Sequence, residues 1–153
     1  MGRRAEGGPD RSAGIYVAVI SALIAGGYAN FDPWRPVTYI DATARSSAGP
    51  VAVSDVVTSP IRIEVQHRIG EALAAHTEVR FVDDPRSVIQ SDSRVRDHGV
   101  LVTLAPIPPA GGPVRIGARS YSGNLGRMSC TFIVDGAGAQ WRVTGTTGIY
   151  SVS

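Results

Sequence analysis

An apolar run near the start of the chain limits most strongly what this sequence can fold into. Ile15 to Ala25 reads IYVAVISALIA, which is shorter than the roughly 20 apolar residues of a transmembrane helix. Its large side chains recur with helical spacing, and small residues fill the other side. Ser12 stands where a helix N-cap is favourable. The pattern therefore predicts an amphipathic core helix with Ile15, Tyr16, Val19, Ile20, Leu23 and Ile24 on its apolar face.

The same run also fits a secretory signal peptide, and that alternative stays open. Arg3, Arg4 and Arg11 give a basic start, and Gly27-Tyr28-Ala29 offers small residues for cleavage after Ala29. A signal segment needs bulk hydrophobicity rather than an apolar face, and Glu6 dilutes the basic start. We therefore expect a cytoplasmic protein, with an exported protein that begins at Asn30 as the alternative.

Length and composition predict one compact domain. The 153 residues are 43% hydrophobic, which suits a single core of ordinary size. Residues 1–12 are polar and glycine-rich, so we expect a disordered tail there and one domain over residues 13–153.

The charged residues exclude several kinds of chemistry. All 15 basic residues are arginine, which removes Schiff bases, pyridoxal phosphate attachment and a P-loop lysine. The net charge is only +2 and the arginines are dispersed, so we expect no nucleic-acid partner. The single cysteine, Cys130, excludes an intramolecular disulfide and fits a buried packing residue. We expect no cofactor.

The remaining pattern predicts an α+β fold, with a mostly antiparallel sheet and two main helices packed on one face. Ser59-Pro60 is typical of a helix start, and the predicted second helix runs to about Ala75. Asp84-Pro85 predicts a single helical turn. The predicted strands are 37–42, 79–82, 100–105, 114–122, 128–134 and 141–144, with a possible extension at 149–152. A hairpin is expected at 135–139, and Gly145 to Gly148 is typical of a bulge.

No established catalytic motif is present, so the candidate site residues rest on local chemistry. Arg96-Asp97-His98 is the densest polar cluster and precedes an apolar strand, although adjacent side chains rarely converge. Asp41 is an acid at the end of an apolar strand, where a turn residue is the simpler interpretation. The histidine spacing does not predict a metal site: His67, His76 and His98 fit surface positions better.

The chain resembles a group of small proteins from actinobacteria. The most specific similarity lies in W-R-V-T-G-T-T-G, from Trp141 to Gly148, and in G-V-L-V-T-L, from Gly99 to Leu104. Similar sequences often carry polar residues where Ser21 and Ala22 stand, which implies a folded first helix. They commonly have Asp-Gly-Gly where this chain has Asp97-His98-Gly99, which argues against a required histidine. The resemblance implies no activity, cofactor or ligand.

We therefore expect a non-catalytic domain that binds a small molecule or a protein partner. The alternative is an enzyme of unrecognised type that uses Asp41 or the Arg96–His98 cluster as its acid or base.

Overall fold

The computed structural model describes residues 8–25, 34–50, 55–109, 111–123, 126–137 and 140–152. The helices are α1 (Pro9–Ala25) and α2 (Ile63–Leu73). The strands are β1 (Val37–Asp41), β2 (Thr43–Arg45), β3 (Thr58–Pro60), β4 (Glu78–Val82), β5 (Val100–Leu104), β6 (Val114–Tyr121), β7 (Arg127–Ala137) and β8 (Gln140–Val152). Single 3₁₀ turns cover Ser46–Ala48, Pro85–Val88 and Arg96–His98.

The main sheet has six strands in the order β4-β1-β5-β6-β7-β8. β1 pairs in parallel with β4 and with β5, whereas the pairs from β5 to β8 are antiparallel. β2 and β3 form a separate two-stranded ladder. The predicted α+β class with a mostly antiparallel sheet is confirmed.

Both helices cover one face of the main sheet. Alternate strand residues point toward the helices because successive side chains in a strand point to opposite faces. Ile40, Val102 and Ile116 are among those residues, and all three are fully buried. The helices and the sheet therefore share one hydrophobic core.

α1 packs in the core through the predicted stripe. Ile15, Val19 and Ile20 have no exposed surface, and the Tyr16 hydroxyl donates to the Ala105 carbonyl oxygen at 2.8 Å. Burial of the Tyr16 ring strongly raises the pKa of its phenol. A polar contact also joins the two helices, where Arg68 pairs with Asp10. Among the described residues, no helix has the length and hydropathy to span a bilayer.

The disordered tail predicted for residues 1–12 is too long at its C-terminal end. Residues 9–12 belong to α1, because Pro9 suits a first helical turn and Asp10 complements the positive helix end. Arg11 is buried, and its guanidinium lies 5.5 Å from the centre of the Trp141 ring. Residues 1–7 and the candidate cleavage site at 27–29 lie outside the described residues.

The predicted start of the second helix is wrong. Ser59 and Pro60 belong to β3, opposite Ala44 and Thr43, and α2 begins at Ile63 without a side-chain cap. Pairing with the β2 side of the ladder continues past Pro60, because the Ile61 amide donates to the Ala42 carbonyl oxygen at 2.8 Å. Pairing between distant segments therefore overrides the local helix-start pattern.

The C-terminal strands are longer than predicted. β7 and β8 form the expected hairpin, in which Ala137 lies opposite Gln140, and the loop residues 138–139 lie outside the described part. β8 continues through the predicted bulge region, where the register of the ladder shifts and Gly148 has a φ of 61°. Bulges that absorb extra residues let a single strand span both of the predicted segments.

Candidate functional site

The face of the sheet opposite the helices carries several charged side chains that line one cavity. Val37, Tyr39 and Asp41 point to this face from β1, because they alternate with Thr38 and Ile40. The two 3₁₀ turns at Ser46–Ala48 and Pro85–Val88 lie over different parts of it. Val37 and Tyr39 join a second, smaller core there with Val88 and Leu101. A cavity remains open on this face.

The cavity, which we call the arginine pocket, has a volume of about 310 Å³. Three arginines and one aspartate supply its charge, and a proline, two aliphatic residues and a tyrosine supply an apolar wall. Its lining residues are Asp41, Arg45, Pro85, Ile89, Leu101, Thr103, Arg119, Tyr121 and Arg127. This combination of charged and apolar walls is typical of small-molecule sites.

Asp41 is the most deeply buried charged residue of the pocket. Its side chain is 1% exposed. One carboxylate oxygen accepts from the Thr43 amide at 3.0 Å, and the other accepts from Arg45 Nε at 2.7 Å. The turn that leads from β1 into β2 holds these partners in place. Both carboxylate oxygens of Asp41 are therefore oriented by hydrogen bonds within the protein.

Arg119 and Arg127 approach the pocket from β6 and β7. Arg119 Nη1 donates to the Ser47 carbonyl oxygen at 3.2 Å, and partial burial of the guanidinium lowers the pKa of Arg119. The Arg127 guanidinium lies 5.9 Å from the centre of the Tyr121 ring, which is a cation–π distance. Among the described residues, no carboxylate lies within ion-pair distance of either arginine.

The charges of the pocket do not balance. Three guanidiniums face a single carboxylate, and that carboxylate is already paired with Arg45. Guanidinium groups bind carboxylates and phosphates through paired hydrogen bonds. The arrangement therefore suits an anion, with the apolar wall beside it.

Asp97 of the predicted Arg96–His98 cluster belongs to a different set of contacts. It accepts a short hydrogen bond from the Tyr39 hydroxyl, and Arg80 Nη1 lies 3.4 Å from the same carboxylate oxygen. The Tyr39 hydrogen bond is the main cause of a lowered pKa at Asp97. Burial and the nearby carboxylate raise the pKa of Tyr39.

The structure does not bring the predicted cluster together as an acid–base pair. Arg96, Asp97 and His98 are all exposed, and the last two have φ values of 58° and 55° in a 3₁₀ turn. The Asp97 carboxylate bonds to Tyr39 and Arg80. Asp41 lies on the same face of β1 as Tyr39 but bonds to different partners.

The remaining candidates occupy ordinary positions. Cys130 is buried as predicted, and burial raises the pKa of its thiol. His67 and His98 are exposed, and His76 stacks on Trp34 with ring centroids 5.1 Å apart. No group of histidine, cysteine and acidic residues within the described ranges has the geometry to hold a metal ion.

Sequence reasoning identified Asp41 but missed Arg45, Arg119 and Arg127. A weak pattern was available for Arg119, because Arg115, Gly117 and Arg119 alternate with the buried residues of β6. That alternation predicts the opposite face of the sheet, but it does not predict which strand end meets Asp41. The strand order β1-β5-β6 supplies that information.

No family model, curated protein or solved structure matches this chain. The resemblance to small actinobacterial proteins therefore stays a prediction. The fold and the site together describe an α+β protein with an arginine-lined pocket on the helix-free face of its sheet.

Proposed function

We propose that this chain is a non-catalytic binding domain that holds a small anionic molecule in the arginine pocket. The observation that carries the proposal is the convergence of Arg45, Arg119 and Arg127 around one paired carboxylate in a cavity of about 310 Å³. A cavity of this volume is at the small end of ligand sites in proteins. The pocket therefore suits a compact ligand rather than a nucleotide or a protein segment.

The apolar wall narrows the ligand class. Ile89, Leu101 and the Tyr121 ring face the same space as the guanidiniums. A ligand that fills the pocket combines a carboxylate or phosphate group with a small hydrophobic body. Its charged group pairs with Arg119 and Arg127, and its apolar body covers the opposite wall.

The same geometry supports binding better than acid–base catalysis. A general base must accept a proton from its substrate, which requires an oxygen that the substrate can reach. The Asp41 side chain is only 1% exposed. Each of its oxygens is also held by a hydrogen bond within the protein. Asp41 instead pairs with Arg45 and offsets part of the arginine charge.

Titration of the protein with benzoate tests the proposal, with benzamide as its neutral isostere. We expect benzoate to shift the amide NMR resonances of Thr103, Arg119 and Tyr121, and we expect benzamide to shift them much less. Phenyl phosphate tests whether a phosphate replaces the carboxylate. Added salt should weaken binding because it screens the attraction. Equal shifts from benzoate and benzamide would contradict the proposal.

The variant Arg119→Gln tests the site itself. A hydrogen bond to a charged group contributes about 1.5–3 kcal/mol, so we expect benzoate affinity to fall about ten-fold or more. Arg115→Gln is the matched control, because Arg115 lies on the same strand and the same face but outside the arginine pocket. Equal benzoate affinity in the two variants would place the ligand elsewhere.

A further inference from the structure

The outer side of β4 is an open sheet edge. β4 is the first strand in the sheet order and pairs only with β1, so no strand of the described residues covers its other side. An uncovered edge presents backbone donors and acceptors that can pair with another chain.

The hydrogen bonds to β1 show which backbone groups of β4 are available. The Glu78 amide donates to the Pro36 carbonyl oxygen at 3.0 Å, and the Val82 carbonyl oxygen accepts from the Ala42 amide at 2.9 Å. In a parallel pair, alternate residues of a strand bond to the same neighbour. Glu78, Arg80 and Val82 therefore direct their backbone groups toward β1, and Val79 and Phe81 direct theirs outward.

The side chains of β4 also divide into two kinds. Val79 and Phe81 line a groove of about 740 Å³ between β4 and α2. Ile63 lies in the same groove and is 58% exposed, so it adds apolar surface there. Glu78 and Arg80 point to the other face, where Arg80 Nε lies 2.7 Å from Glu78 Oε2.

We propose that this edge pairs with the same edge of a second copy of the chain. The strands run antiparallel about a two-fold axis beside Val79, so that Val79 faces the partner's Val79 and exchanges both backbone hydrogen bonds with it. Phe81 then lies opposite the partner's Thr77. The sheet continues through both copies, and the two grooves beside α2 meet on the same face.

Charge complementarity selects the second copy as the occupant and fixes the register. With Val79 on the axis, Glu78 lies opposite the partner's Arg80, and symmetry generates this pair twice. Such a pair is not hydrogen-bonded through the backbone, which is the antiparallel position where side chains approach most closely. Moving the axis to Glu78 or to Arg80 places like charges opposite each other. The sequence Glu78-Val79-Arg80 is therefore complementary to itself.

Sedimentation equilibrium of the full-length chain tests this proposal, with a dimer expected for the natural sequence. Glu78→Arg and Arg80→Glu each replace two attractive cross-strand pairs by two repulsive ones. We expect each variant to weaken association about ten-fold or more. Circular dichroism and cooperative unfolding check that each variant is folded.

Mixing the two variants tests the cross-strand pairing directly. Positions 78 and 80 are both arginine in the Glu78→Arg variant and both glutamate in the Arg80→Glu variant. Every facing pair of a mixed dimer therefore joins opposite charges, so the mixed dimer should form while each variant alone is monomeric. Native mass spectrometry distinguishes this mixed dimer from either homodimer. The loss of intrachain contacts of Arg80 with Asp97 and Tyr39 cannot produce that recovery.

Val79→Pro is the independent variant, because it removes an outward N–H without touching the bonds to β1. It should abolish the dimer. A natural chain that stays monomeric at high concentration overturns the proposal, and so does a dimer that survives Val79→Pro or fails to reform in the mixture.

Discussion

At the scale of single residues, the buried charge of Asp41 has two opposing effects: it stabilises the fold and it disfavours anion binding. Its carboxylate stabilises the turn into β2 by accepting from Thr43 and Arg45. The same negative charge repels an anion in the arginine pocket. A residue that only maintained the fold would affect stability and binding in the same direction.

We therefore expect Asp41→Asn to destabilise the protein and to strengthen benzoate binding. The loss of the charged hydrogen bond to Arg45 should lower the free energy of unfolding by about 1–3 kcal/mol. Urea denaturation measures the first effect and NMR titration the second. Glu64→Gln is the control, since it removes an exposed ion pair with Arg62 and should change stability by less than about 1 kcal/mol. Weaker benzoate binding by Asp41→Asn would contradict the proposed role.

Asp97 supplies a prediction about pH. Its pKa is lowered in the folded chain, chiefly by the Tyr39 hydroxyl. The stability that it contributes is therefore present above the pKa of the unfolded aspartate, about 3.9, and is lost as the pH falls through the lower folded value. Tyr39→Phe should raise the pKa of Asp97 in an NMR titration. The stability difference between this variant and the natural chain should shrink on acidification.

Tyr121→Phe is the control for that experiment. The Tyr121 hydroxyl donates to the Ser93 carbonyl oxygen at 2.7 Å, so the variant also loses one hydrogen bond to a tyrosine. Its acceptor does not titrate. We therefore expect a stability loss that does not change between neutral and acidic pH. A loss that shrinks equally in both variants on acidification would show that the Asp97 carboxylate is not its cause.

Local context in the sequence was sufficient for some single-residue features. Asp41 lies at the end of β1, and Cys130 is buried, as their strand patterns predict. The partners Arg119 and Arg127 were not found, since their meeting with Asp41 depends on strand order. The Asp97–Tyr39 bond joins residues 58 positions apart, and no local pattern predicts it.

At the scale of elements, the 3₁₀ turn at Ser46–Ala48 reaches the sheet through a contact between two glycines. A Cβ on Gly117 would lie 2.7 Å from the Gly49 Cα atom and 2.8 Å from its nitrogen. Those distances require the backbone of one segment to move. The turn therefore packs against β6 only because residue 117 has no side chain, and this packing places Ser47 against Arg119.

Gly117→Ala should displace this turn from the sheet. Overpacking of this kind costs about 1–3 kcal/mol, which urea denaturation measures. Benzoate affinity should fall as well, because Arg119 loses its contact with Ser47. Gly145→Ala is the control from another strand: its Cβ would lie 3.6 Å from Ile133 Cδ1, an ordinary contact. Equal stability of the two variants would show that the turn is free to relax.

The elements predicted from the sequence were those with a clear local period. β1, β4 and β5 agree with the structure to within a residue at each end, and Asp84 caps the 3₁₀ turn at Pro85–Val88 as predicted. β2 and β3 were missed because each is a three-residue strand held by a distant partner. The same pairing placed Ser59-Pro60 in a strand, although its local pattern is typical of a helix start.

At the scale of the whole molecule, the order of helical and strand patterns in the sequence predicted the fold class. It did not predict the order and direction in which the strands pair. The parallel placement of β1 between β4 and β5 is a long-range arrangement that pattern alone leaves open. It has a direct consequence for the site. The arrangement brings the end of β1, with Asp41, beside β5 and within reach of the arginines of β6 and β7.

The burial of α1 also determines what the chain needs in order to fold. Ile15, Val19, Ile20 and Leu23 are buried against the sheet and α2. Burying an aliphatic side chain contributes about 1.5–3 kcal/mol, so these residues together contribute roughly 6–12 kcal/mol. That is comparable to the whole stability of a typical domain, about 5–15 kcal/mol.

A chain that begins at Asn30, as cleavage after Ala29 would produce, should therefore fail to fold cooperatively. Without α1, the sheet residues Ile116 and Phe132 lose the surface that covers them. We expect no urea transition by circular dichroism and strong binding of a hydrophobic dye. A chain that begins at Gly8 retains α1 and is the control, with an unchanged transition midpoint. Cooperative unfolding of the shorter chain at that same midpoint would show that α1 is dispensable, and export with cleavage after Ala29 would then remain compatible with a folded product.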